Sequence, residues 1–236
     1  MEKLVYVLWK RGDEPNADFA KRLRGELAPR LLAQGARFLK LSAVDDDVAA
    51  GAGLRIGTAS PPKAGLATFW LDQAQERAAL EDSLREECGA IAGYLVVESR
   101  PLVPTRQVAP EGSRTPGFHL VTCIARHPDL DHEAFVEFWQ NRFRDVAIET
   151  QSTFDYVRNE VVRALTPDAP AWDAIVEEGF PARALDDPAV FYDAPGDPQR
   201  QKANATRMFE HVQHFLDLSK VESHPMSETI YERAKR

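Results

Sequence analysis

One histidine in the second half of the chain has a setting that could support acid–base chemistry. His119 lies in an apolar run, Phe118 to Ala125, that is typical of a buried strand. Because alternate residues of a strand point the same way, His119, Val121 and Cys123 share one face. Imidazole titrates near neutral pH, so His119 could act as acid, base or hydrogen-bond donor if that face lines a cavity. The alternative is a core histidine that is bonded to a neighbour.

Two carboxylates follow at Asp173 and Glu177, in a predicted strand from Asp173 to Glu178. Their spacing puts them on one face of that strand, about 13 Å apart, which is too far for a close carboxylate pair. Asp173 is our second candidate catalytic residue, because a buried carboxyl with a raised pKa can act as a general base. Glu177 is a candidate for substrate binding. Strand-edge charges in solvent are the alternative interpretation for both.

Three more side chains are candidates for substrate binding. Tyr156 and Asn159 stand three apart in a predicted strand, Phe154 to Val162, so they point to opposite faces and at most one can line a given cavity. A buried amide needs hydrogen-bond partners, so Asn159 either fixes a loop or contacts a ligand. Trp139 could help to wall an apolar cavity for an aromatic ligand, or could simply be core.

Metal and cofactor sites have little support in the sequence. His211 and His214 could touch one metal if they are helical, but no third ligand is evident. Cys88 and Cys123 make neither a disulfide framework nor a metal site. No phosphate-binding glycine loop and no nucleophile elbow are present. We therefore expect no metal and no cofactor.

Composition excludes several classes of partner. The chain has 236 residues, 44% of them apolar, and a net charge of −8. Its basic residues form no stripe, which argues against nucleic acid, and no apolar run reaches the length of a membrane span. The apolar run at Leu4 to Trp9 lacks a cleavage site and is typical of a first strand rather than a signal peptide. Two cysteines without a framework suit a reducing compartment, so we expect a cytoplasmic protein.

The hydrophobic pattern predicts the same order of elements twice. Residues 3–99 predict β-α-β-β-α-β, and residues 118–231 repeat that order with more insertion. Between them lies a proline-rich stretch, which favours an extended connection. We therefore assign an N-terminal degenerate repeat to residues 1–104, a linker to 105–117 and a C-terminal repeat to 118–236.

This order of elements predicts the fold. A β-α-β-β-α-β unit forms a four-stranded antiparallel sheet with both helices on one face, and the bare face must be buried. We expect an α+β protein with two ferredoxin-like repeats, whose sheets face each other as one barrel within the chain. Apolar residues on both faces of Leu4–Trp9 and Phe118–Ala125 fit this arrangement. Two separate α+β domains are the alternative.

The second half resembles the EthD-domain proteins of the dimeric α+β-barrel superfamily. The first half resembles them more weakly, through the order of its elements and through Phe19 to Pro29. Members usually pair two chains to build the barrel, whereas a tandem copy could do so within one chain, so we expect a monomer or a homodimer. The resemblance rests on Glu133-Ala134-Phe135-Val136-Glu137-Phe138-Trp139, Tyr156-Val157-Arg158-Asn159, Trp172-Asp173-Ala174-Ile175-Val176-Glu177 and Phe215-Leu216-Asp217.

The resemblance implies an enzyme for a small, hydrophobic, oxygenated organic molecule. It implies oxidation, cyclisation, dehydration or decarboxylation without a cofactor, with His119 and Asp173 as acid–base groups, and it favours Asn159 as a pocket residue. The alternative is a ligand-binding or structural barrel without catalysis. One departure bears on this choice: the first helix of the family commonly reads Trp-x-x-x-His, whereas here Trp139 is followed by Phe143. Either a polar group has been lost, or Phe143 completes an apolar helix face.

Overall fold

The first half of the chain forms four strands and an outer layer of helices. The computed structural model describes residues 1–57, 59–105 and 107–232. Its strands are β1 (Glu2–Trp9), β2 (Arg37–Ala43), β3 (Gly65–Leu71) and β4 (Ala90–Leu102). Helices α1 (Asn16–Arg22) and α2 (Ala28–Ala33) join through a π-helical turn at Leu23–Leu27, and α3 (Ala78–Glu87) follows a 3₁₀ turn at Ala74–Arg77.

The second half repeats this plan. Its strands are β5 (Phe118–Ile124), β6 (Asp155–Ala164), β7 (Ala174–Phe180) and β8 (Glu222–Ile230). Helices α4 (His132–Glu137) and α5 (Phe143–Thr150) join through a π-helical turn at Phe138–Arg142. Asp131 caps α4, as its position in the sequence predicts, by accepting a hydrogen bond from the backbone of Ala134 at 2.8 Å. Helices α6 (Pro188–Phe191) and α7 (Pro198–Val212) complete the outer layer.

The eight strands close into one antiparallel barrel in the order β1-β3-β2-β8-β5-β7-β6-β4. Each half contributes four neighbouring strands, and the two halves have equivalent strand orders, β4-β1-β3-β2 and β8-β5-β7-β6. Hydrogen-bonded ladders between β2 and β8 and between β4 and β6 join the halves. The fold class predicted from the sequence, an α+β barrel built within one chain, is therefore confirmed.

Strand alternation divides the side chains between an outer and an inner layer. In β1, Leu4, Tyr6 and Leu8 pack against the helices of the first half, whereas Val5 and Val7 point into the barrel. This explains why the strand is apolar on both faces. The stripe Phe19, Leu23, Leu27 and Leu31 is entirely buried against the outer face, as its four-residue spacing predicts.

The connection between the halves follows β4, which runs to Leu102 and pairs there with Tyr156. The connection ends at Gly117, which has a φ of +85°. A Cβ atom at this position would lie 2.1 Å from the carbonyl oxygen of Phe180, so only glycine fits there. The assigned boundaries at 104 and 117 stay a prediction. Position 106 of the linker and residues 233–236 of the C-terminal repeat lie outside the described residues.

In the described part of the chain, none of the helices has the length and apolar character that crossing a membrane requires.

Candidate functional site in the barrel interior

The interior of the barrel has one apolar end and one polar end. Inward side chains such as Val7, Leu66, Val121, Ile175 and Met226 pack together as a core. The polar end holds a cavity of about 470 Å³. Charged groups on its wall are Lys3, Lys40, Glu98, Arg100, Asp155, Glu228 and Glu232.

His119 lies directly behind two carboxylates of this wall. Its Nε2 atom is 3.5 Å from Oδ2 of Asp155 and 3.4 Å from Oε2 of Glu228. The imidazole is 1% exposed and its ring stands edge-on to Phe154, with the centroids 6.1 Å apart. Strand pairing explains the cluster, because β8 with Glu228 pairs with β5, and because His119 and Asp155 both pair with Gly179 on the intervening strand β7.

Charge pairing sets the protonation of this cluster. Burial alone lowers the pKa of His119, but the carboxylates of Glu228 and Asp155 outweigh burial and hold that pKa above its ordinary value. Burial alone raises the pKa of Asp155, but His119, Arg100 and Lys40 together hold it below its ordinary value. The two carboxylates therefore stabilise the imidazolium form of His119.

A second charged cluster continues from the first across the interior. Lys40 Nζ lies 2.5 Å from Oε2 of Glu177 and 3.4 Å from Oε2 of Glu228. Lys3 Nζ lies 2.6 Å from Oδ1 of Asn159 and 4.0 Å from Oε1 of Glu177. Lys3 also forms an ion pair with Glu98 at the cavity wall. The amide of Asn159 donates to the backbone oxygen of Ile175 at 2.9 Å and to Glu177 at 3.1 Å.

The pKa values of this cluster follow from burial and from the neighbouring charges. Burial raises the pKa of Glu177, but Lys40 and Lys3 outweigh it and lower that pKa from 4.5 to about 2. Burial lowers the pKa of Lys40, yet Glu177 and Glu228 hold it above its ordinary value. For Lys3 burial is the stronger effect, so its pKa lies below the ordinary value. Glu177 is therefore an ionised carboxylate at the centre of the network.

The cavity above these charges has apolar walls from both halves of the chain. Phe38 and Trp70 come from the first half and meet edge to face, with ring centroids 5.8 Å apart. Phe154 comes from the second half, and Val103 and Val108 of the connecting segment also line the cavity. The site thus combines an apolar rim with a charged floor.

His119, Asp155 and Glu228 could also be considered as metal ligands, because one donor atom from each lies within 4.8 Å of the others. The ammonium group of Lys40, 3.4 Å from Glu228, puts a fixed positive charge beside that position. A divalent cation would be repelled by Lys40 and would have to displace the proton of His119. The two carboxylates and Lys40 are therefore better suited to a protonated His119 than to a bound metal ion.

Of the six residues predicted for the site, the structure brings three together. His119, Asn159 and Glu177 all lie in the charged interior, and Tyr156 and Asn159 point to opposite faces as expected. Tyr156 and Trp139, expected to bind substrate, instead pack in the outer core beneath the helices, outside the cavity.

Asp173 lies away from His119. It precedes β7, and its carboxylate accepts a hydrogen bond from the backbone of Arg126 at 2.8 Å and pairs with the guanidinium of Arg126 at 2.5 Å. Asp173 lies one residue before β7 begins, and its contacts fix the segment that follows β5.

The other sequence candidates have structural explanations. Phe143 is buried and its ring centroid lies 4.9 Å from that of Phe215, so this departure from the family pattern completes an outer core. His211 and His214 are half-buried or exposed in the last turn of α7 and just beyond it. Cys88 and Cys123 are free and buried.

Lys3, Lys40, Asp155 and Glu228 were missed from the sequence. A weak signal existed: each is a charged residue on the inward face of its strand, but β6 and β8 carry several other polar residues. It was not decisive, because a charge at a strand end is usually solvated, and only closure of the barrel makes these positions interior.

Comparisons with known proteins agree with this architecture. Residues 127–219 match the family model of the EthD domain. A comparison with curated proteins found no match. A solved structure of an anthrone oxidase-like protein superposes with a TM-score of 0.55 at 10% identity, over 98% of this chain and 94% of that chain. At such identity the likeness establishes the fold alone.

Two further solved structures are more distant. A candidate monooxygenase from Lactobacillus acidophilus NCFM has a TM-score of 0.46 at 10% identity, over 98% of this chain and 96% of that one. A dye-decolorizing peroxidase from Bacteroides thetaiotaomicron VPI-5482 has a TM-score of 0.48 at 10% identity, over 98% and 93%. A match to the EthD domain thus lies within the second half of a chain whose eight strands close into one α+β barrel.

Proposed function

We propose that this protein is a cofactor-independent enzyme that removes a proton from a hydrophobic, oxygenated substrate held in the interior cavity. The observation that carries the proposal is the placement of Asp155 and Glu228 on the cavity wall, with the buried His119 behind both. The apolar rim would hold the body of the substrate and exclude water. The charged floor would take up the proton.

Glu228 is the residue that we assign as the base. It lines the cavity, is 2% exposed, and its Oε2 atom has no hydrogen-bond partner among the described residues, although Lys40 and His119 lie at ion-pair distance. His119 is a positioning residue in this proposal, because it is screened from the cavity by Asp155 and Glu228. This differs from the sequence-based expectation that His119 itself acts on the substrate.

Removal of a C–H proton that is conjugated with a carbonyl leaves an enolate, and an oxidation then needs only dioxygen as the second substrate. For anthrone, the enolate gives two electrons to dioxygen and forms a C–O bond, and protonation yields a hydroperoxide. Its O–O bond breaks with loss of water, so anthrone and O₂ give anthraquinone and H₂O. Cyclisation or decarboxylation would share the same first step of proton transfer.

Anthrone is the test substrate, chosen because its acidic C–H group and planar rings suit the cavity and because one similar fold is that of an anthrone oxidase-like protein. Two measurements separate the steps: deuterium exchange at the acidic carbon without oxygen, and oxygen uptake with formation of anthraquinone. We expect the protein to accelerate both above buffer. Absence of acceleration in both would contradict the proposal.

Glu228→Gln tests the assignment of the base, with Glu210→Gln on the exposed face of α7 as the matched control. We expect Glu228→Gln to slow exchange by about 10²- to 10⁴-fold, the usual contribution of a general base. We expect His119→Ala to lose turnover as well, because the two carboxylates lose the cation that lies between them. Full activity of Glu228→Gln would exclude Glu228 as the base.

The second candidate function is a ligand-binding or structural barrel without turnover. It is favoured by the mutual pairing of Lys3 with Glu98 and of Lys40 with Glu177, which leaves these charges internally compensated. Native mass spectrometry distinguishes the two functions. A co-purifying small molecule that is retained unchanged, in a protein without exchange activity on it, would support the binding function.

A further inference from the structure

The cations of the cavity differ strongly in accessibility. The side chain of Lys3 is 3% exposed and that of Lys40 is 13% exposed, whereas that of Arg100 is 38% exposed. Of the described cations on the cavity wall, Arg100 is therefore the one that a ligand meets first.

Arg100 also keeps most of its hydrogen-bonding capacity. Among the described residues it donates one hydrogen bond, from Nη2 to Oδ1 of Asp155 at 3.2 Å. A guanidinium has five N–H donors in a planar arrangement that matches a carboxylate, so further donors remain for a ligand. Asp155 also pairs with His119. The positive charge of His119 compensates part of the charge of Asp155, so Asp155 occupies Arg100 less completely.

The carboxylates around the cavity are largely compensated by other groups. Glu98 pairs with Lys3, and Glu228 lies between Lys40 and His119. Glu232 accepts a hydrogen bond from the backbone of Phe38 at 2.8 Å and has Arg37 at 4.0 Å. An incoming anion near Arg100 therefore faces an interior whose negative charges already have cationic or N–H partners.

The walls select the shape of the ligand. Phe38 and Trp70 form one aromatic wall and Phe154 contributes from the other half of the chain, around about 470 Å³. Aromatic walls favour flat rings, which gain contact area and offset or edge-on ring contacts.

We infer that the cavity binds a planar aromatic molecule that carries an anionic oxygen, as a carboxylate or a phenolate, and that Arg100 holds this oxygen. The inference deepens the proposed function, because it uses the same cavity and specifies its substrate class. It places the anionic oxygen at the accessible edge, next to Asp155.

A binding experiment with two matched probes tests this without turnover. Isothermal titration calorimetry compares 2-naphthoate with 2-naphthamide, which has the same rings and no charge. We expect naphthoate to bind at least tenfold more tightly than the amide at low salt, with the difference shrinking as salt is added. Equal affinities for both probes, or no binding of either at millimolar concentration, would overturn the inference.

Variants assign the effect to Arg100. Arg100→Gln should weaken naphthoate binding by about tenfold to a hundredfold and leave the amide unchanged, because a charge-assisted pair is lost. Arg100→Lys should fall between the two, since it keeps the charge and loses the paired donors. Arg163→Gln, at an exposed position of β6, is the control and should bind as the unmodified protein does.

Thermal melts by circular dichroism establish that each variant is folded before binding is measured. Unchanged naphthoate affinity in folded Arg100→Gln would overturn the inference. Failure of the proposed function can be distinguished from failure of this inference. Glu228→Gln should lose proton exchange on anthrone and still bind naphthoate more tightly than naphthamide. An active enzyme with no preference for the anion would overturn the inference alone.

Discussion

Replacement of Glu177 by glutamine tests whether the buried charge network is formed as described. Glu177 is fully buried, with Lys40 at 2.5 Å and Lys3 at 4.0 Å. These lysines lower its pKa from 4.5 to about 2, and each unit of pKa shift corresponds to about 1.4 kcal/mol. Glutamine keeps the size and loses the charge, so Glu177→Gln should lower the free energy of unfolding at pH 7 by about 3 kcal/mol.

The pH dependence of this loss identifies its cause. A carboxyl with a lowered folded-state pKa contributes its full stability above pH 4.5 and loses it as the pH falls towards 2. The difference between Glu177→Gln and the unmodified protein should therefore be constant from pH 7 to about pH 5 and shrink below that. Urea unfolding followed by tryptophan fluorescence at several pH values gives both quantities, with Glu210→Gln as the surface control. A loss below 1 kcal/mol at pH 7, or one independent of pH down to 3, would refute this account of the network.

Three further changes have defined outcomes. Burial raises the pKa of the half-buried Glu178 from 4.5 to about 7, so the folded state favours its protonated form. The free energy of unfolding should therefore fall by about 3 kcal/mol as the pH rises from 4.5 to 7. Glu178→Gln should remove this part of the slope in urea unfolding at pH 5 and 8, and an unchanged slope would count against it. Phe143→Ala should lower the free energy of unfolding by about 3–5 kcal/mol. It should not change naphthoate affinity, because Phe143 packs outside the barrel. Weakened binding in the folded variant would contradict that placement. Val157→Phe should fill part of the cavity and weaken binding of both naphthyl probes, and calorimetry showing undiminished binding would mean that the probes bind elsewhere.

The fold was accessible from the sequence because its determinants are local and periodic. The four-residue spacing of Phe19, Leu23, Leu27 and Leu31 predicted the helix face that is buried, and apolar alternation located the strands within a few residues. The segment that follows β2 is less accessible to this reasoning. The chain forms a 3₁₀ helix at Asp46–Leu54 and then a single bridge from Ile56 to Ser223, a long-range contact that no local pattern encodes.

The site was accessible only in part, because its members come together through barrel closure. Alternation placed Asn159 on the face opposite to Tyr156, but it could not say which face was the interior. Glu228 reaches His119 because β8 pairs with β5 within the second half, whereas Lys40 reaches Glu228 through the pairing of β8 with β2, which joins the two halves. Asp173 shows the opposite case: it lies just before β7, and its carboxylate pairs with Arg126 instead of joining the cluster around His119.

A crystal structure of the protein with bound 2-naphthoate tests the central claim most directly, since it reports barrel closure and the location of the site together. The account predicts eight strands closed through β2–β8 and β4–β6, with the ring between Phe38 and Phe154 and the carboxylate on Arg100. An open sheet, or a ligand bound beneath the outer helices near Trp139, would contradict it.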